Sequence, residues 1–241
     1  MKRYVSVFEM IARSSIYKVL SIIGVMIMAQ AVCFYLSMLR PSGLGIEFYI
    51  NQSHYSLIFK IAYVLVTVAI IFPGMNIGSI QSYTLQRLRI KEKRIYWLQS
   101  LYNFLAYVLL WGAQLIMILV STVVYLKNLP EGVNLTNQTI FIAFYRNAFM
   151  HSILPLEDGP GWWILVLIGI SSAFATAEFT KLQRERKVGF ELLILLVAVM
   201  FSFPRELGYE FTFLALSLCA VYFVMWTRWI LNTVSDGGEE S

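Results

Sequence analysis

The sequence predicts an all-α membrane protein: a polytopic bundle of six transmembrane helices, preceded by an interfacial amphipathic helix, with both termini cytoplasmic. Three observations predict it. The chain of 241 residues is 59% hydrophobic and only 14% charged, far from the balance of soluble domains. Long apolar stretches recur at about 17–39, 55–82, 97–126, 161–180, 189–204 and 211–231. Most reach the ~20 residues that cross a bilayer, and they are continuous, unlike the short alternating strands of a membrane barrel. The basic residues then sort by side. Lys2, Arg3, Arg13 and Lys18, the run from Arg87 to Arg94, the group from Lys181 to Lys187, and Arg228 all fall on one side of a six-span topology. The other side holds only the scattered Arg40, Lys60, Lys127, Arg146 and Arg205. A net charge of +5 therefore reads as the positive-inside bias, and no nucleic-acid partner is expected.

Residues 1–16 carry Val5, Phe8, Ile11, Ala12 and Ile16 at helical spacing, with charges between them. This is the pattern of a helix lying in the inner interface before it turns into the first span; the alternative is a plain basic anchor. The first span follows a charged lead and has no small-x-small cleavage site, so it is expected as a retained helix, not a signal peptide. In the second span, Pro73 and Gly74 are expected to kink or locally unwind the helix, either as a static bend or as a flexible point. The third is strongly apolar from Phe104 to Tyr125. The outer segment, 128–160, contains QTIFIAFYRNAFMHSIL, in which Ile140, Phe141, Phe144, Ala148 and Ile153 are expected to form one face of a short helix on the outer leaflet. Asn51, Asn134 and Asn137 head N-x-S/T sequons, all on that side. The fifth span is the shortest, cut by Phe203-Pro204.

Motifs for chemistry are missing from the sequence. It contains no GxxxxGK[ST], no HExxH and no GxSxG. Cys33 and Cys219 lie in apolar runs, and His54 and His151 stand alone, so neither a disulfide framework nor a metal centre is expected. No catalytic residue, cofactor-binding residue or metal ligand is predicted. Gln30, Asn76 and Gln114 lie within spans, with Gln99 and Asn103 near the inner end of the third. Amides at such depth either hydrogen-bond a neighbouring helix or line a path. Deep acidic or basic side chains, which a proton-coupled carrier needs, do not occur in the spans. If the protein moves a cargo, the energy arrives from outside the membrane part.

One stretch combines charge with apolar periodicity. SYTLQRLRIKEKRIYWLQSL, 82–101, holds Arg87, Arg89, Lys91, Lys93 and Arg94 against the single Glu92. Read as a helix from Thr84, Leu85 and Leu88 share a face that Lys91 and Ile95 continue. Such a segment can offer leucines to a groove on another protein, with a basic rim for an acidic partner, or it can simply touch anionic lipid.

In layout the chain resembles an ABC-2-type transporter permease, small and bacterial, with its basic coupling segment (83–95) between spans two and three. Thr84, Leu88, Ile90, Arg94 and Ile95 match the loose family pattern in this loop; Tyr83, Arg89 and Lys91 depart from its glycine, proline and serine. The resemblance covers nearly the whole chain and implies a single permease domain over 1–241. It implies a second permease chain, identical or different, and a separate ATP-binding cassette subunit that carries ATP and Mg. Thr84, Leu85, Arg87, Leu88, Arg89, Ile90 and Lys91 would face that ATPase. The implied role is export of a peptide or lipid-like amphipathic substrate across the bacterial plasma membrane, with membrane lipid around the bundle. A non-transporting membrane adaptor or sensor, using the same loop to bind a cytosolic partner, is the alternative.

Overall fold

The computed structural model describes residues 2–39, 45–75, 92–128, 137–156, 159–184 and 191–203. Every regular element among them is an α-helix. In chain order these are α1 (Lys2–Met38), α2 (Ile46–Gln52), α3 (Tyr55–Met75), α4 (Glu92–Lys127), α5 (Asn137–Arg146), α6 (Ala148–Ile153), α7 (Gly159–Arg184) and α8 (Glu191–Ser202). Four of them contain stretches long and apolar enough to cross a membrane: Phe8–Met38, Tyr55–Phe72, Arg94–Lys127 and Gly161–Gln183. They correspond to the first four expected spans.

The expected turn between an interfacial helix and the first span is not there. Helix α1 runs unbroken for 37 residues, about 56 Å at 1.5 Å per residue, against a hydrocarbon core of about 30 Å. Its first Gly is Gly24 and it holds no Pro, so nothing in the backbone forces a break. Ser14 and Ser15 donate back to the Ile11 carbonyl, at 2.7 and 3.4 Å, and so stay within the helix. The amphipathic segment is held against α4 instead: Ser15 donates to the Tyr102 hydroxyl (2.8 Å), and Phe8 meets the Tyr102 ring edge-on at 6.1 Å.

The fifth expected span, 189–204, contains α8, whose 12 described residues extend about 18 Å. The sixth, 211–231, lies outside the described residues.

The bundle forms by α4 packing along α7 and α1 packing along both α3 and α4, while α3 also meets α7. Apolar side chains cover both its interior and its outside. On α1, Met26 and Phe34 are buried, while Val25, Met28, Val32, Tyr35 and Leu36 are more than half exposed. A helix apolar all round fits a lipid surround, where outward hydrocarbon carries no penalty.

Among the described residues of 128–160, the stretch 137–153 forms two helices, not one. Asn147 stops α5 and caps α6: its side-chain oxygen accepts from Met150 N at 3.0 Å. Its amide donates to Asn51 Oδ1 (3.0 Å) and to the Glu47 carbonyl (3.3 Å), tying both helices to α2. The break also divides the expected apolar face. Phe144, Ala148 and Ile153 are buried, whereas Phe141 points outward, 61% exposed.

Candidate functional site

Polar side chains inside the bundle gather into a seam between helices. On α7, Ser172, Thr176 and Thr180 recur every four residues, so they share one face. Each donates to the carbonyl four residues earlier, at 2.6, 2.8 and 2.7 Å. This satisfies the hydroxyl within its own helix and leaves its oxygen able to accept, while small side chains let a neighbour approach closely. Asn103 of α4 uses that opening, donating to Thr176 Oγ1 at 2.8 Å. Tyr63 of α3 donates to Ser172 Oγ. The Tyr63 ring stacks on Tyr107 of α4, centroids 4.8 Å apart and 17° from parallel, and the Tyr107 hydroxyl pairs with Thr67 at 2.9 Å.

A second cluster joins α1, α3 and α4. Gln30 donates to Gln114 Oε1 at 2.7 Å and makes a longer contact of 3.5 Å with the Tyr55 carbonyl. The Tyr55 hydroxyl pairs with Ser121 at 2.6 Å. Both glutamines have no exposed surface, and Gln30 Oε1, Gln114 Nε2 and Asn103 Oδ1 have no hydrogen-bond partner.

The seam consists of amides and hydroxyls. Its hydrogen bonds run between amides, hydroxyls and backbone carbonyls. No three His, Cys, Asp or Glu converge anywhere among the described residues to hold a metal. What the seam can do is fix four helices in register and present neutral polar atoms at depth.

The sequence-predicted residues divide accordingly. Gln30 and Gln114, 84 positions apart, are brought into direct contact. Pro73 and Gly74 lie in the last described turn of α3, which is helical to Met75. Asn76 and the coupling residues Thr84, Leu85, Arg87, Leu88, Arg89, Ile90 and Lys91 lie outside the described residues. The tyrosines Tyr55, Tyr63 and Tyr107 and the α7 hydroxyl row were not predicted. The signal for the row was available: Ser172, Thr176 and Thr180 repeat the small-xxx-small spacing of a close helix contact.

The ends of the helices also converge. Lys18 Nζ lies 5.3 Å from the Phe72 ring centroid, placing the first part of α1 beside the end of α3. Tyr102 brings the same part of α1 to the start of α4. Phe174 of α7 meets Tyr96 and Trp97 of α4 at 6.0 and 5.4 Å. Arg13, Lys18, Arg94 and Lys181 thus belong to one end of the bundle, and the chain between Met75 and Glu92 departs from and returns to that end.

No family model, no curated protein and no solved structure matches the chain.

Proposed function

We propose that the chain is the membrane subunit of an ATP-driven exporter of the ABC-2 permease type, working in a bacterial plasma membrane on an amphipathic peptide or lipid-like cargo. The supporting observation is the gathering of basic helix ends at one end of the bundle, with residues 76–91 strung between two spans, α3 and α4, that leave from that end. A partner pressing on Leu85 and Leu88, with Arg87, Arg89 and Lys91 on an acidic rim, would act on both spans at once. The push would meet the stacked Tyr63 and Tyr107 and the Thr67–Tyr107 bond between those spans. It would reach α7 through Tyr63 and Ser172. ATP and Mg belong to the partner on this reading, and a second permease chain completes the transporter.

The test is purification of the native complex in mild detergent, followed by an ATPase assay. A P-loop ATPase is expected to accompany the chain and to be lost in Leu88→Asp, because a carboxylate placed in an apolar groove costs about 2–5 kcal/mol. A folded, monodisperse chain that brings down no ATPase refutes the permease reading. A cytosolic partner without ATP turnover would instead establish the adaptor.

A further inference from the structure

Helices α3, α4 and α7 do not close on one another completely. They enclose a cavity of about 200 Å³ whose wall is mostly rings: Phe59, Tyr63, Phe104, Tyr107, Trp111 and Trp162. Three polar tips in that wall are engaged elsewhere. Tyr63 donates to Ser172, Tyr107 pairs with Thr67, and Trp111 Nε1 donates to the Ile153 carbonyl at 2.9 Å. Among the described residues no charged side chain and no side-chain amide lines the cavity.

Such a space does not suit water. A buried water needs two to four polar partners, and an apolar cavity of about 150 Å³ stays dry and takes benzene instead. Left empty, the cavity deprives the rings of dispersion partners on one side. The group that fits it is therefore hydrocarbon.

Position decides which hydrocarbon. Tyr63 stands eight residues into the stretch Tyr55–Phe72, about 12 Å along its axis, and Ile168 stands seven residues into Gly161–Gln183, about 10 Å. In helices that cross a core of about 30 Å, both fall at the depth of acyl chains. The rim residues Val108, Trp162 and Val166 are exposed, as are the neighbouring Leu109 and Leu167. The mouth thus lies between α4 and α7 on an apolar outer surface, where the surrounding solvent is lipid chains.

We propose that this cavity is a binding site for one acyl chain of a bilayer lipid, which enters between α4 and α7 and lies against the stacked Tyr63 and Tyr107. The engaged hydroxyls and indole leave the inner wall nothing with which to read a headgroup, so the chain alone selects the site. Lipid then packs one side of the ring stack that joins α3 to α4. The site does not depend on an ATPase partner, so its failure and that of the permease reading are separate results.

The full chain would be reconstituted into phosphatidylcholine vesicles doped with phosphatidylcholine that carries a diazirine in mid-chain. After irradiation, mass spectrometry maps the adducts. Leu109, exposed and outside the cavity, is labelled by the surrounding bilayer and serves as the reference. Tyr63, Tyr107 and Ile168 are 4, 3 and 3% exposed, so only a chain inside the cavity reaches them, and adducts are expected there. Ile118, fully buried and outside the cavity, should stay clean. Phosphatidylglycerol with the same diazirine chain should give the same pattern. Gly169→Leu should abolish the adducts on Tyr63 and Tyr107 and keep those on Leu109. A Cβ at Gly169 meets only ordinary contact, 3.5 Å from the Phe104 ring, and the longer side chain fills the cavity. Adducts confined to exposed positions in the unaltered protein overturn the proposal, whatever the variant does. Equal labelling of Ile118 and Tyr63 overturns it too, as do a dependence on the headgroup and full labelling of Tyr63 in Gly169→Leu.

Discussion

Replacing Gln30 and Gln114 by leucine, singly and together, tests whether the buried amides serve each other. Leucine keeps roughly the volume and removes the polar atoms. Gln30→Leu removes the 2.7 Å bond and strands the whole Gln114 amide, whose Nε2 already has no partner. Gln114→Leu removes the same bond, but Gln30 keeps its 3.5 Å contact with the Tyr55 carbonyl, so it should cost less. An interhelical hydrogen bond in a membrane contributes about 0.6 kcal/mol on average and about 1.7 at most, and stranding a buried polar group adds about 1–3 kcal/mol. Each single change should therefore destabilise by about 1–3 kcal/mol, with Gln30→Leu the worse. The double change takes both amides out of the interior, including the two atoms that lack partners, and should be no worse than either single one. Unfolding by denaturing detergent in mixed micelles would measure the cycle. Additive losses, with the double variant as unstable as the sum of the singles, would refute the pairing and show that each amide faces water or another group.

Two other substitutions probe the parts around this pair. Asn147→Ala should cost about 1–2 kcal/mol as a lost helix cap, and should raise hydrogen exchange selectively in α2, α5 and α6, which Asn147 ties together. Uniform exchange throughout the bundle would refute that local role. Phe59→Ala should cost about 3–5 kcal/mol, because this ring is 1% exposed and packs edge-on to Phe203 at 4.9 Å; the same denaturing-detergent titration reads the loss, and a change below that of Asn147→Ala would show that Phe59 is not part of the packed core.

The all-helical membrane architecture was legible in the sequence because a bilayer imposes a local rule. Backbone groups in lipid must be bonded within their own segment, so an apolar run of sufficient length declares a helix whatever surrounds it. The four helices long and apolar enough to cross appear where composition placed them. Gln30 and Gln114 were legible for the same reason, since an amide in such a run stands out. Two local expectations failed. Charges between apolar residues suggested that 1–16 turns along the interface, yet no Pro or Gly interrupts the helix, and Ser15 and Phe8 found Tyr102 on α4. The apolar face drawn through 140–153 assumed one continuous helix, and Asn147 broke it by capping the next.

The sequence by itself thus determined where the four long apolar helices form. Partnership was left to the tertiary structure. Tyr63 and Tyr107 are ordinary aromatics in apolar runs until α3 and α4 pack and stack them, and Ser172 is an ordinary helix serine until Tyr63 reaches it. In lipid the hydrophobic effect does not choose which helix faces which, because hydrocarbon lies on every side. The choice falls to shape and to a few hydrogen bonds between residues far apart in the chain, and these exist only once the helices have met.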